Sequence, residues 1–381
     1  MRSGISARLA MALASLALST AICIGPIGTR SALADQSGAF SMNVREELDL
    51  STPGAAVAVT WSRDGSAIAA VSNYGNTLTT WDKTGHLINQ FTRTGNGPAL
   101  GGSLAFIEGS SQLVFPPPAG VDRDVAVAVW DVSTGKVIRT ENGPQPDDPH
   151  AANVAQHLIT SPNEKLLAVA TRGGKNQKNL VVYDTQSWTA LHTDQIRSGV
   201  SSLCVFGEGR FLGLGLTSAG HIAVLDAVSG AVINEFPAYE ESKYGMFALT
   251  AVAGSPAGDL IMTGVGLVVL RGEFRSSTEQ LAWAKSMNST DAVRMFRVKD
   301  GKLIASFTDA TAPIRQAMWD PRGRYVAFVD NARSLFLWTP WNGSVFKKVD
   351  LHSPSLSLAI SPDGDRIAVT IDQGVRVYSI N

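Results

Sequence analysis

The chain has 381 residues, with 32 Lys and Arg against 33 Asp and Glu, a net charge of −1 and 44% apolar residues. A near-neutral balance with its Lys and Arg scattered through turns excludes the concentrated basic face of a nucleic-acid binder. Two cysteines in this length exclude a disulfide-stapled framework, so the fold must rest on buried apolar surface.

In chain order, Arg2 and Arg8 precede a mostly Ala and Leu stretch from Leu9 to about Ile24, and Ala32 and Ala34 are small residues spaced as a signal peptidase reads them. Residues 1–34 are therefore expected to be a signal peptide, cleaved after Ala34, and the protein to be periplasmic or secreted. The apolar run is shorter than the roughly 20 residues a spanning helix needs, so no membrane span is expected after cleavage. Ile22 stands where a lipoprotein signal requires a small residue before Cys23, and paired arginines are absent, which favours the general secretory route. The mature chain would keep 29 basic and 33 acidic residues, a charge of −4. Its only cysteine, Cys204, sits in the apolar run Leu203-Cys-Val-Phe and reads as an inert core residue.

Residues 39–48 read as one isolated strand. After it, six stretches repeat one pattern: Ser62-Arg-Asp-Gly-Ser-Ala-Ile-Ala, Ser161-Pro-Asn-Glu-Lys-Leu-Leu-Ala, Phe206-Gly-Glu-Gly-Arg-Phe-Leu-Gly, Ser255-Pro-Ala-Gly-Asp-Leu-Ile-Met, Asp320-Pro-Arg-Gly-Arg-Tyr-Val-Ala and Ser361-Pro-Asp-Gly-Asp-Arg-Ile-Ala. Glu108-Gly-Ser-Ser-Gln-Leu-Val-Phe is a weaker seventh copy. Each joins two apolar runs through a polar turn, which predicts a hairpin. A third run follows, often ending in an aromatic residue and Asp, then a Gly turn and a fourth run, as in Thr79-Thr-Trp-Asp-Lys-Thr-Gly-His-Leu-Ile and Ala128-Val-Trp-Asp-Val-Ser-Thr-Gly-Lys-Val-Ile. Four strands per unit, seven times over, predict an all-β, seven-bladed β-propeller.

These residues resemble the WD40 and YVTN-type propeller superfamily over about residues 55–381. The resemblance implies the fold strongly and a function weakly. It is to a degenerate bacterial member. Only Asp330 and Asp372 match the Asp that such repeats carry between second and third strands, and no Gly-His pair precedes a first strand, since Gly85-His86 falls in a later turn. The blades are placed at 55–92, 102–140, 154–193, 199–236, 247–307, 312–349 and 354–380. The last has three strands, at 356–360, 366–371 and 374–379, so the strand at 39–48 is expected to complete it and close the ring.

Regular hairpins are scaffold, and function is expected where hairpins are irregular. The largest irregularity follows Leu267-Val-Val-Leu in blade five and carries Arg271, Phe274, Arg275, Glu279, Trp283 and Lys285. Aromatic residues with Arg on a projecting loop suit a protein contact. Residues 141–150 bring Asp147, Asp148 and His150 together, but the set is too small for a calcium or zinc site and reads as a Pro-rich connector. Pro116-Pro-Pro-Ala-Gly-Val-Asp-Arg-Asp is a stiff hairpin extension. No haem, zinc-protease or nucleophile-elbow motif is present, and the six histidines, His86, His150, His157, His192, His221 and His352, show no ligand spacing. Trp61, Trp81, Trp130, Trp319 and Trp338 are read as structural, and Trp188 and Trp341 as turn residues.

The function expected is a monomeric, non-catalytic exported scaffold without cofactor or metal, binding a protein or cell-envelope component through its loops. The alternative is an enzyme centred in the channel, a lactonase-like or sugar-directed hydrolase using a divalent metal, whose catalytic residues would come from different blades and leave no local motif.

Overall fold

A computed structural model describes residues 43–92, 103–115, 117, 125–144, 155–171, 178–217, 220–239, 245–270, 293–310, 312–340 and 345–381. Strand β1 (Val44–Ser51) stands apart from the repeats. Blade one is β2 (Ala56–Trp61), β3 (Ala67–Ser72), β4 (Thr77–Asp82) and β5 (Leu87–Thr92). Blade two is β6 (Ala105–Ile107), β7 (Gln112–Phe115), β8 (Val125–Asp131) and β9 (Val137–Asn142). Blade three is β10 (Ala155–Thr160), β11 (Leu166–Thr171), β12 (Leu180–Asp184) and β13 (Ala190–Asp194). Blade four is β14 (Val200–Phe206), β15 (Phe211–Leu216), β16 (His221–Asp226) and β17 (Val232–Pro237). Blade five is β18 (Gly245–Gly254), β19 (Leu260–Leu270), β20 (Val293–Arg297) and β21 (Leu303–Phe307). Blade six is β22 (Ile314–Trp319), β23 (Val326–Asp330), β24 (Ser334–Thr339) and β25 (Val345–Asp350), and β26 (Leu358–Ile360), β27 (Arg366–Ile371) and β28 (Gly374–Ile380) belong to blade seven.

Every blade is an antiparallel four-stranded sheet, and six follow sequence order. The seventh is ordered β1-β28-β27-β26, so β1 is its outer strand. The first strands neighbour one another in sequence around the hub, and β26 returns to β2. Seven sheets so joined make a closed seven-bladed propeller.

The repeated hairpin has a specific chemical basis. Ser62 Oγ donates to Asp64 Oδ1 at 2.6 Å and accepts the Ala67 amide at 2.9 Å, locking the turn from inside. Ser161 does the same with Asn163 and Leu166, Ser255 with Asp259 and Leu260, and Ser361 with Asp363 and Arg366. In blade six the position holds Asp320, fully buried, whose Oδ2 accepts the Arg324 amide and Nε at 2.8 and 2.9 Å. Arg324 also reaches Asp365 Oδ1 at 3.0 Å, tying blade six to blade seven.

The outer turns between third and fourth strands use a different lock. Asp82, Asp131, Asp184 and Asp226 each accept amide and hydroxyl bonds from the two or three residues that follow, and these bonds hold their carboxyls below the usual range. Second and third strands are almost wholly buried, which accounts for their unbroken apolar runs. Trp61, Trp81, Trp130, Trp319 and Trp338 are all buried. Fourth strands alternate with solvent, as free edges must.

Strand β1 pairs with β28 from Val44 opposite Ile380 to Ser51 opposite Gly374. It therefore runs three residues beyond the end expected from the sequence, because Asp49, Leu50 and Ser51 still find ladder partners in β28. Leu50 is buried, and Glu47 receives Arg366 through both carboxylate oxygens, at 2.5 and 2.8 Å.

Candidate functional site

The two faces of the ring are built differently. First strands all run one way, so every turn joining first to second and third to fourth strands lies on one face. Connections from second to third strands, and from blade to blade, lie on the other. The first face is consumed by contacts between its own turns. Ser110 Oγ donates to Asp64, the Gly109 amide to Glu164 Oε2 at 2.9 Å, the Gly207 amide to Ser255 O, and Arg210 to Ala257 O. Arg63 reaches Asn163 O at 3.1 Å, from blade one to blade three. Lengthening any of these turns would break a contact with a neighbour.

The strand ends joined by the connections of eight or more residues, 93–104, 116–124, 143–154, 172–179 and 271–292, all lie on the connector face. Blade five also rises from it. In the other blades the inner hairpin ends at pairs such as Ala56 with Ser72, Val200 with Leu216 and Ile314 with Asp330. The corresponding pair in blade five is Leu249 with Val265, and four more follow, from Ala248 with Leu267 to Gly245 with Leu270. At about 3.4 Å per residue the ribbon extends about 14 Å beyond the common level. Gly266 is the extra residue of a bulge that re-aims it, and a Cβ there would strike Thr250 Oγ1 at 1.7 Å. Arg271, Phe274, Arg275, Glu279, Trp283 and Lys285 lie outside the described residues, between the ends of β19 and β20. Asp147, Asp148, His150 and Trp341 also lie outside them, as does most of 116–124.

Below this face is the hub, where sequence reasoning missed a regular feature. First strands β2, β10, β14, β18 and β22 share a bulge at one level, at Val57, Gln156, Ser201, Thr250 and Arg315. In blades four, five and six one of these residues, or the one directly after it, reaches the backbone of the next blade, and in blade seven Ser357, just before β26, does the same. Ser202 Oγ donates to Leu249 O, Thr250 Oγ1 to Ile314 O, Gln316 Oε1 accepts the Leu358 amide at 3.0 Å, and Ser357 Oγ accepts the Val59 amide at 3.2 Å. A usable signal existed: each bulge stands five residues before the first residue of its hairpin motif.

His157 takes the Ser202 position in blade three but makes no hydrogen bond among the described residues. Burial among its neighbours pushes its pKa down to about 4, so it is a neutral imidazole at the hub. His192 instead pairs with Asp194 Oδ2 at 2.6 Å in an outer strand. Burial pushes the Cys204 thiol up to about 12, which makes it unreactive at neutral pH. Among the described residues no three His, Cys, Asp or Glu side chains come together as a metal-binding group, and no helix is long and apolar enough to cross a membrane. No family model matches the chain, and no curated protein matches it.

Proposed function

We propose that this chain is a non-catalytic, exported propeller scaffold that binds a protein or cell-envelope component through its connector face, with blade five as the principal contact. The observation that carries this reading is the asymmetry of the two faces: one is sealed by turn-to-turn hydrogen bonds, while the other holds every long connection and the blade-five ribbon. A closed ring holds these segments at fixed separations, so little ordering entropy is lost on binding. The apolar stretch Leu267-Val-Val-Leu and the residues Phe274, Trp283, Arg271 and Arg275 have the composition of an interface anchor.

Within the WD40 and YVTN-type superfamily, the chain reads as a degenerate member. Asp330 supports this: it is buried in the turn between β23 and β24, and its Oδ1 accepts the Ala332 and Ser334 amides, each at 2.9 Å. Asp372 is exposed in the corresponding turn, and its amide donates to Ser353 Oγ at 2.9 Å.

The test is affinity capture from cell-envelope extract with the tagged mature protein and with a variant lacking residues 272–289. One partner recovered by the full protein, lost by the variant and rebinding in purified form is the expected result. Equal capture by both variants would remove blade five from the contact, and a stoichiometric metal in the same preparations would favour a channel enzyme.

A further inference from the structure

The seams between blades are filled by one recurring device. The outer turns of blades two, four and five each carry a glycine with left-handed backbone: Gly135 at φ 66°, Gly230 at 70° and Gly301 at 64°. The preceding blade lays a side chain where a Cβ would stand. Phe91 covers Gly135, His192 covers Gly230 and Phe236 covers Gly301. Phe91 pairs opposite Leu78 and Phe236 opposite Ile222, each four residues before the Asp of its outer turn.

The seam between blades two and three departs from this on both sides. Its left-handed residue is Trp188, at φ 56°, and the position equivalent to Phe91, opposite Val127, holds Glu141. Trp188 itself packs against the apolar cluster of blades two and three, and beside it a cleft of about 380 Å³ remains, within the size range of small-ligand sites. Trp188 and Tyr183 line it on the side of blade three, and Thr140, Glu141 and Thr193 add polar groups. The Tyr183 hydroxyl donates to Asn142 O and fixes one wall against the other.

The Glu141 carboxylate, the charged group of the lining, is neutralised from outside the cleft. Arg139 Nη1 lies 2.9 Å from Glu141 Oε1, and the Arg139 guanidinium lies over the Trp188 ring, 5.3 Å from its centroid. Arg139 thus orients both the carboxylate and the indole, although it does not line the cleft. A ligand of either net charge gains little from a neutralised pair. A neutral polyol gains hydrogen bonds from carboxylate, hydroxyl and backbone groups, while the aromatic rings meet the apolar C–H face of its ring. A peptide side chain would find few apolar walls, since beyond the two aromatic residues only Val181, Ala190 and Pro144 contribute.

We infer that this cleft is a carbohydrate subsite, taking a neutral sugar ring of a glycan against Trp188 with Glu141 as the hydroxyl acceptor. It lies on the outer rim of blades two and three, and its test is independent of the connector-face reading.

Isothermal titration calorimetry of the full chain with cellobiose, maltose and diacetylchitobiose at millimolar concentrations tests it through the heat change on binding. At least one sugar is expected to give a saturable change. Trp188→Gly, which installs the residue used by the other outer turns, should abolish the change, and Glu141→Gln should weaken binding about tenfold through loss of a charged acceptor. Both variants should keep the far-ultraviolet circular dichroism of the parent. Trp188→Phe provides a second aromatic variant should the glycine form fold poorly, and it should retain weakened binding. Absence of a saturable change with all three sugars, or a change that survives in Trp188→Gly, would overturn the inference.

Discussion

Single residues here are chosen mainly for what they do to backbone. Ser62, Ser161, Ser255 and Ser361 stay buried because each hydroxyl satisfies an amide five residues on. An Ala at any of them would leave that amide unpaired, at a cost of about 1–3 kcal/mol. His157 is the residue whose state depends most clearly on pH. Its folded pKa of about 4 lies below the ordinary 6.5, so the unfolded chain takes up a proton first as pH falls. The stability involved is fully present above pH 6.5 and is lost progressively toward pH 4. Asp330 titrates in the opposite sense, since burial raises its carboxyl pKa and that stability is lost as pH rises. Comparison with His157→Gln separates the two. Urea midpoints measured between pH 7 and pH 4.5 should fall more steeply in the parent than in the variant, and equal slopes would show that His157 does not titrate in this way.

At the scale of elements, the seams between blades decide how much variation the ring tolerates. Hub hydrogen bonds from side chain to neighbouring backbone join blades four to five, five to six, six to seven and seven to one. Aromatic packing reinforces the seam between blades five and six, where Phe307 meets Phe328, Phe336 and Trp338 with centroids 5.2–5.5 Å apart. The outer turns are the sensitive points. Gly301 combines φ 64° with a site where a Cβ would lie 2.7 Å from Phe236 Cγ. Gly301→Ala should therefore cost about 2 kcal/mol by urea denaturation, from backbone strain plus displacement of the ring. An unchanged midpoint would mean that the seam relaxes freely. Trp188 occupies the same backbone position, which shows that blade three accepts this strain where its neighbours avoid it.

For the whole molecule, closure depends on β1. Seven residue pairs join it to β28, and Arg366 and Arg376 add ion pairs to Glu47, Glu46 and Asp49. Deleting residues 43–51 would expose the β28 edge and remove ladder bonds worth on the order of 5 kcal/mol in total. The expected outcome is a much lower melting temperature with loss of cooperativity. A deletion variant that melts like the parent would show that the ring holds without this strand.

The architecture was legible because it is periodic: seven hairpin motifs, five of them with a Ser or Asp side chain locking the turn, announce seven blades, and a spare strand beside an incomplete blade announces the closure. The hub was only partly legible, since bulged residues such as Ser201, Thr250 and Arg315 look like ordinary strand positions until their spacing from the hairpin motif is counted. The cleft was not legible. Trp188 and Glu141 lie 47 positions apart and are each unremarkable locally. The amino-acid pattern alone determined strand order, blade number and closure, because these follow from local periodicity and turn chemistry. Only the tertiary structure decided which face is sealed, how far blade five rises and which seam keeps a cleft. Each of those depends on a side chain from one blade meeting the backbone of the next.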